Sequence, residues 1–256
     1  MDRYIRFNHR EANFRLLCGG REEVLMTSII NNRKLLDRYI SLRPEFLTSL
    51  VPLPPLKGGA AGPAGGVPEI ALRMEAAARL TGLGPMASVA GGFAQMALEA
   101  AEKEGISPVV VENGGDVCLK TEKELILGLY AGEPGGTARD AGLYGASLAF
   151  RIPAGESLAV CSSSGTMGHS LSLGRCDLAT VTAADGFLAD SAATLAANLV
   201  CRPEDIQAAV ERVLAVPGVK GVLIVLGDRI GMGGTLPDLV RNRDRGFRSR
   251  ITRASE

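Results

Sequence analysis

Residues 160–198, VCSSSGTMGHSLSLGRCDLATVTAADGFLADSAATLAAN, force a polar turn, a buried strand and an alanine-rich helix into one stretch. Ser162, Ser163 and Ser164 ahead of Gly165 put hydroxyls and backbone N–H groups where a chain turns sharply. Consecutive N–H groups that converge on one point can cradle an anion. Residues 178–182, centred on Ala-Thr-Val-Thr, read as a short buried strand, and residues 188–199 as a helix. Asp190 and Thr194 stand four apart on that helix and so share a face. A carboxylate and a hydroxyl placed this way near a helix N-terminus can hold a hard cation such as Mg²⁺ through oxygen. The competing reading is that Asp190 caps the helix and Thr194 bonds to its own backbone.

The chain has 256 residues, 46% of them apolar, enough for one large domain or two small ones. No run approaches the ~20 apolar residues of a membrane span, and the start, MDRYIRFNHREANF, lacks the apolar core of a secretory signal. Basic and acidic residues balance at 28 each, which provides no overall field for nucleic acid or membrane. Cys18, Cys118, Cys161, Cys176 and Cys201 are odd in number and widely spaced. That pattern suits a reduced, cytoplasmic protein better than a disulfide framework, and no Cys/His cluster suggests zinc. With no Trp and 4% aromatic residues, a base-stacking surface is not expected.

Residues 4–17 alternate as one or two strands, and residues 22–43 as a long amphipathic helix that ends before Pro44. The Pro/Gly-rich residues 52–68 read as a loop, either a connector or a lid. A helix over 69–81 stops at Gly82. In residues 88–103, SVAGGFAQMALEAAEK, Gly91 and Gly92 open a helix. Its early N–H groups are then available to an anion, or its glycines serve tight packing. The strand 108–111 runs into Glu112-Asn113-Gly114-Gly115-Asp116, a backbone-exposed polar turn or a hairpin. Strands follow at 124–131, 147–152 and 158–161, then a helix at 204–214 and a strand at 221–226. Residues 239–256 carry six arginines and read as a solvated tail. The order helix then strand, at 87–111 and again at 188–226, hints at an internally duplicated α+β fold.

Four of these segments resemble, in order, motifs of the ApbE-like superfamily, whose founding members are Mg²⁺-dependent FAD:protein FMN transferases. Residues 88–94 are similar to a Gly-Ile-Ala-Lys-Gly-Tyr-Ala helix start, and residues 111–116 to a strand-end Asn-x-Gly-Gly-Asp. Ser163-Ser164-Gly165 with His169 resembles a Thr-Ser-Gly turn and its downstream His. Residues 189–194 match Ala-Asp-x-x-x-Thr, whose Asp and Thr ligate Mg²⁺ in the family. The sequence also departs from the pattern: Gly91 replaces the family lysine, Met96 an Asp, and residues 169–174 only partly follow a His-x-x-Asp-Pro-x-Thr-Gly run. With residues 43–50 and 84–87, the chain resembles an uncharacterised, UPF-type sister family within the superfamily.

The resemblance implies a single ApbE-like domain over residues 1–256, T-fold-like and internally duplicated, with helices packed on antiparallel sheets. It implies a site in which Ala90, Gly91, Gly92, Glu112, Asn113, Gly114, Gly115, Ser163, Ser164 and Gly165 bind a diphosphate-containing cofactor, FAD or another nucleotide. Asp190 and Thr194 would hold Mg²⁺, with His169 and Asp116 as candidate acid–base groups. The activity expected is flavin transfer or pyrophosphate cleavage, with an acceptor protein as partner. A second reading is a non-catalytic accessory protein of anaerobic sulfur metabolism, which gains weight if Cys118 and Cys161 meet near the pocket. A third is a scaffold that acts through homo-oligomer contacts.

Overall fold

Alternation along the strands sets the layers. In β3 (Val109–Asn113), Val109 and Val111 point to one core and Val110 to another. The same alternation in β2 (Ala12–Leu17) splits Leu16 from Leu17. β8 (Leu178–Ala183) is buried at every position and so lies in the middle of the molecule. The structure, a computed structural model, describes residues 4–55, 66–131, 148–165 and 174–242. It has three layers: helices, a large antiparallel sheet, and a small three-stranded sheet.

The large sheet also contains β1 (Ile5–His9), β4 (Asp116–Lys120), β7 (Leu158–Ser163), β9 (Val219–Leu226) and β10 (Arg229–Gly234). Its order is β1-β2-β3-β4-β7-β8-β9-β10, and every pairing is antiparallel. Two units are visible in that order. The first is a hairpin β1–β2, then α1 (Glu22–Leu42), α2 (Glu45–Thr48), α3 (Glu69–Thr81) and α4 (Val89–Lys103), then the hairpin β3–β4. The second is β7–β8, then α5 (Gly186–Leu199) and α6 (Ile206–Leu214), then β9–β10. Each unit contributes four adjacent strands, and β4 joins β7 at the seam. Between the units come β5 (Leu125–Leu129) and β6 (Leu148–Ile152); with β11 (Asp238–Arg241) they form the small sheet, order β11-β6-β5. Helices cover one face of the large sheet, and Phe150, Leu148 and Ile152 of the small sheet cover the other.

The structure decides between some expectations and changes others. Of the two readings of the turn after β3 it has the hairpin, a two-residue loop in which Asn113 pairs with Asp116. Gly114 and Gly115 have φ of 65° and 112°, the left-handed region that such a tight turn requires. The strand β4 beyond it, together with β10 and β11, had no clear sequence signal. Residues 239–241 are not tail but strand, paired with β6; residues 243–256 lie outside the described residues. Ser162 and Ser163 close β7 rather than forming the turn. Of the Pro/Gly stretch 52–68, residues 56–65 lie outside the described residues.

Candidate functional site

The two halves of the helical layer touch where α4 crosses α5, directly over the β4–β7 seam. The approach is so close that both contact positions require glycine. A Cβ on Gly91 would sit 2.3 Å from the Gly186 carbonyl oxygen and 2.7 Å from Asp190 Cβ. One on Gly186 would sit 2.6 Å from the Gly91 oxygen and 2.6 Å from Cys118 Sγ. Gly92 packs against the Phe187 ring, which leaves no room for a side chain there either. Gly91 and Gly92 therefore serve packing, and a lysine at position 91 has no space.

The anion that α4 receives at its N-terminus is internal. Asp190 Oδ2 accepts the Gly91 N–H at 2.8 Å, and the Ala90 N–H also bonds to this carboxylate. The expectation of N–H groups at Gly91 available to a phosphate is corrected accordingly. Asp190 is not the helix cap: Asp185 is, its Oδ1 accepting the N–H groups of Phe187 (2.8 Å) and Leu188 (3.2 Å). An Asp one residue ahead of an apolar run is an ordinary N-cap signal that points to it.

The hairpin turn reaches the same place from below. Asn113 Nδ2 donates to the Ala90 oxygen at 3.1 Å, and Asp116 Oδ1 accepts the Ser162 N–H at 3.2 Å. Motifs from residues 88–94, 111–116, 162–165 and 189–194 are thus tied to one another by hydrogen bonds. Not every candidate joins them. Glu112 points to the opposite sheet face, where it pairs with Arg15 at 3.3 Å. Gly165 donates its N–H to Cys176 O at 2.8 Å and Ser162 donates to Asp116, so two N–H groups of the expected anion cradle are committed. Ser164 Oγ also bonds Cys176 O, at 3.3 Å. Ser163 is buried at the end of β7, while His169 lies outside the described residues. Thr194 is buried on α5 one turn beyond Asp190.

Burial governs the electrostatics. It pushes the Asp116 carboxyl up to about 7, helped by the charge of Glu112 and opposed by the Ser162 N–H and the Cys161 thiol. Burial, and then the charge of Asp116, pushes Asp190 well above the usual carboxylate range. Among the described residues neither carboxylate has a cationic partner. Cys118 and Cys161 do meet here, on neighbouring strands, but as structural donors. Each thiol bonds a carbonyl at the helix crossing at 3.7 Å, Cys118 to Gly91 O and Cys161 to Gly186 O. Burial and the surrounding carboxylates push both thiols well up, which keeps them protonated and unreactive.

A polar clamp that was not anticipated holds the crossing shut. Arg73 on α3 donates to Glu99 on α4 and to Asp185 at the head of α5, both at 2.8 Å, and lies 4.5 Å over the Phe187 ring. Gln95 Oε1 accepts the Gly186 N–H at 3.0 Å, and its amide donates to Glu99 at 2.8 Å. Thr81 and Ser191 share a 2.8 Å hydroxyl bond. As a donor set, the Asp190 carboxylate and Thr194 hydroxyl suit a hard cation. Among the described residues no three His, Cys, Asp or Glu side chains gather as a metal cluster. A cavity of about 270 Å³ between β10 and the small sheet, lined by Phe150, Met232, Leu236 and Leu239, brings together no titratable side chain.

The family model described as "AbpE bacteria" matches residues 2–230. The UPF0280 protein of Archaeoglobus fulgidus is 33% identical over 93% of this chain and 94% of its own length. That of Methanothermobacter thermautotrophicus is 37% identical over 90% and 85%. The chain belongs to the UPF0280 family. Across 91% of this UPF0280 chain and 95% of the other, the apo form of flavinyl transferase ApbE from Pseudomonas stutzeri has the same fold, with a TM-score of 0.53 at 13% identity. The α+β class with antiparallel sheets and packed helices is shared with that structure. Among the described residues no helix is long and apolar enough to cross a membrane.

Proposed function

We propose that this UPF0280 protein binds a diphosphate-containing cofactor, FAD or a related nucleotide, together with Mg²⁺ beside the α4–α5 crossing, and acts on that cofactor as a transferase or pyrophosphate-cleaving enzyme. One observation carries the reading. Four motifs far apart in sequence are hydrogen-bonded into one cluster around two buried carboxyl groups with no cationic partner among the described residues. Asp190 and Thr194 would hold the cation, which withdraws charge from phosphate oxygen when bound. Asp116, a carboxyl whose proton is retained up to about 7, can give or take a proton near neutrality. The P. stutzeri protein of the same fold is a flavinyl transferase, which supports FAD as the first ligand to try.

A second reading, cofactor binding without transfer, rests on Gly91. The crossing has no space for the lysine of the founding transferases, so any chemistry here proceeds without an amine at that position. The buried, protonated thiols lend no support to a sulfur-handling role.

Calorimetric titration of FAD into the protein, with Mg²⁺ and then with EDTA, tests the proposal. Asp190→Asn keeps an acceptor for the Gly91 N–H and removes the charge; Thr194→Val keeps the shape and removes the hydroxyl. Binding is expected to need Mg²⁺ and to weaken at least tenfold in each variant, an effect of about 1.4 kcal/mol. Heat that is unchanged by EDTA and by both substitutions sinks the metal site, and no heat under any condition sinks the flavin reading. Release of FMN in an assay with bound ligand separates transfer or cleavage from binding alone.

A further inference from the structure

The crossing of α4 and α5 repeats itself about a local two-fold axis. A Cβ on Gly91 would meet the Gly186 oxygen, and one on Gly186 would meet the Gly91 oxygen. Below them Cys118 donates to Gly91 O and Cys161 to Gly186 O, from strands whose register pairs Val117 with Val160. The helix heads exchange acceptors in the same way. Gln95, four residues past Gly91, accepts the Gly186 N–H at 3.0 Å; Asp190, four past Gly186, accepts the Gly91 N–H at 2.8 Å.

The two halves differ one turn further on, where Glu99 follows Gln95 and Thr194 follows Asp190 at the same spacing of four. On the Glu99 side the bonds close into a ring. Arg73 donates to Glu99 Oε2, Gln95 donates to Glu99 Oε1, and Gln95 in turn accepts from Gly186. Asp185, next to Gly186, accepts from Arg73 and completes the circuit. Among the described residues no guanidinium or ammonium closes the Asp190 side. Moving the helices apart along the axis, or rotating one against the other about it, changes the Gln95–Gly186 and Asp190–Gly91 bonds together. What fixes one of them therefore fixes the other.

We infer that Arg73 is a positioning residue for the cation site: by closing the ring on one side of the axis it holds the Asp190 carboxylate in place on the other. The inference rests on the proposed binding of Mg²⁺ and cofactor beside the crossing. Arg73 acts only through Glu99, Gln95 and Asp185, since its own donors are directed to carboxylates at the opposite half. A carboxylate already fixed by Gly91 loses less freedom when a cation binds, so loosening the ring weakens the cation more than the cofactor. Lysine restores the effect in part, because an ammonium lacks the planar fork that reaches Glu99 and Asp185 at once.

Amide proton NMR of the ligand-free chain reads the coupling directly. In Arg73→Gln the Gly91 amide proton, across the axis, is expected to move upfield together with that of Gly186, and in Arg73→Lys to return part of the way. If Arg73→Gln does not fold, Asp185→Asn, which keeps the cap of α5 and weakens its bond to the guanidinium, is expected to move Gly91 in the same direction. A Gly91 proton that stays in place while Gly186 moves overturns the inference. Calorimetry of FAD binding at rising Mg²⁺ then reads the site. Arg73→Gln is expected to raise the Mg²⁺ concentration for half-maximal binding about tenfold, the usual cost of losing a group that orients a metal ligand, with FAD affinity unchanged at saturating Mg²⁺. An unchanged Mg²⁺ midpoint, or an equal loss of FAD affinity at every Mg²⁺ concentration, overturns it. A wild type that binds no FAD, or binds it without Mg²⁺, refutes the cofactor reading and with it the cation role of Arg73; that result is seen in the wild type alone, before any variant is compared.

Discussion

Gly91 is where a single hydrogen atom decides the geometry. The atoms that a Cβ would strike are a backbone oxygen and the Cβ of Asp190, neither at the end of a flexible side chain. Gly91→Ala therefore forces the two helices apart. It is expected to cost about 1–3 kcal/mol in denaturant unfolding, even after the better helix propensity of alanine offsets part of the strain. Asp116 makes a different kind of prediction. It is buried, packed against the Ser162 N–H and Cys161 on β7 and close in sequence to the charge of Glu112 across the sheet, with Asp190 on α5 nearby, and its pKa rises from 3.8 to about 7 on folding. The folded state keeps a proton that the unfolded state gives up. The stability tied to that proton is fully present below pH 3.8 and is lost as pH rises through about 7. Unfolding free energy measured across that window is expected to fall with pH in the wild type and to fall less steeply in Asp116→Asn. Asp190, Thr194, Asn113 and Asp116 were legible as site candidates because they lie in local motifs. Glu112 shares a motif with Asn113 yet faces away, because neighbours in a strand point to opposite sides of the sheet.

At the scale of elements, α4 and α5 are positioned by α3. Arg73 bonds one carboxylate on each helix and covers Phe187, the residue that fills the space against Gly92. Arg73→Leu leaves Glu99 and Asp185 facing each other without the guanidinium. With the arginine 23% exposed, solvent screens part of the effect, and a loss of about 1–2 kcal/mol in thermal or denaturant unfolding is expected. Arg73→Lys should lie between, since an ammonium cannot match the two-pronged geometry. The long helices were readable from sequence because apolar spacing, Pro44 and Gly82 marked their faces and ends. β4, β10 and β11 were not. β4 reads DVCLK and β10 RIGMGG, short runs whose glycines and charges are also turn signals. Pairing with β3, β7, β9 or β6 makes them strands, and that is information held elsewhere in the chain.

For the whole molecule, the duplication was visible only as a repeated order of helix and strand; the repeating unit is larger, a hairpin on either side of its helices. No local pattern could show that β4 would continue into β7, because that pairing joins strands separated by the β5–β6 insertion. The pairing has a further meaning. β4 ends the first unit and β7 begins the second, so the seam joins tail to head. Contacts of that kind have no built-in terminus: repeated between molecules, they yield rings or filaments. Here the join is made once, within a single chain, and leaves β1 and β10 as outermost strands among those described. β1 carries Arg6, β10 carries Arg229, and neither strand has an acid. A charged side chain on each outer strand is a feature that discourages edge-to-edge pairing, so the polymer latent in this architecture meets resistance at its first link.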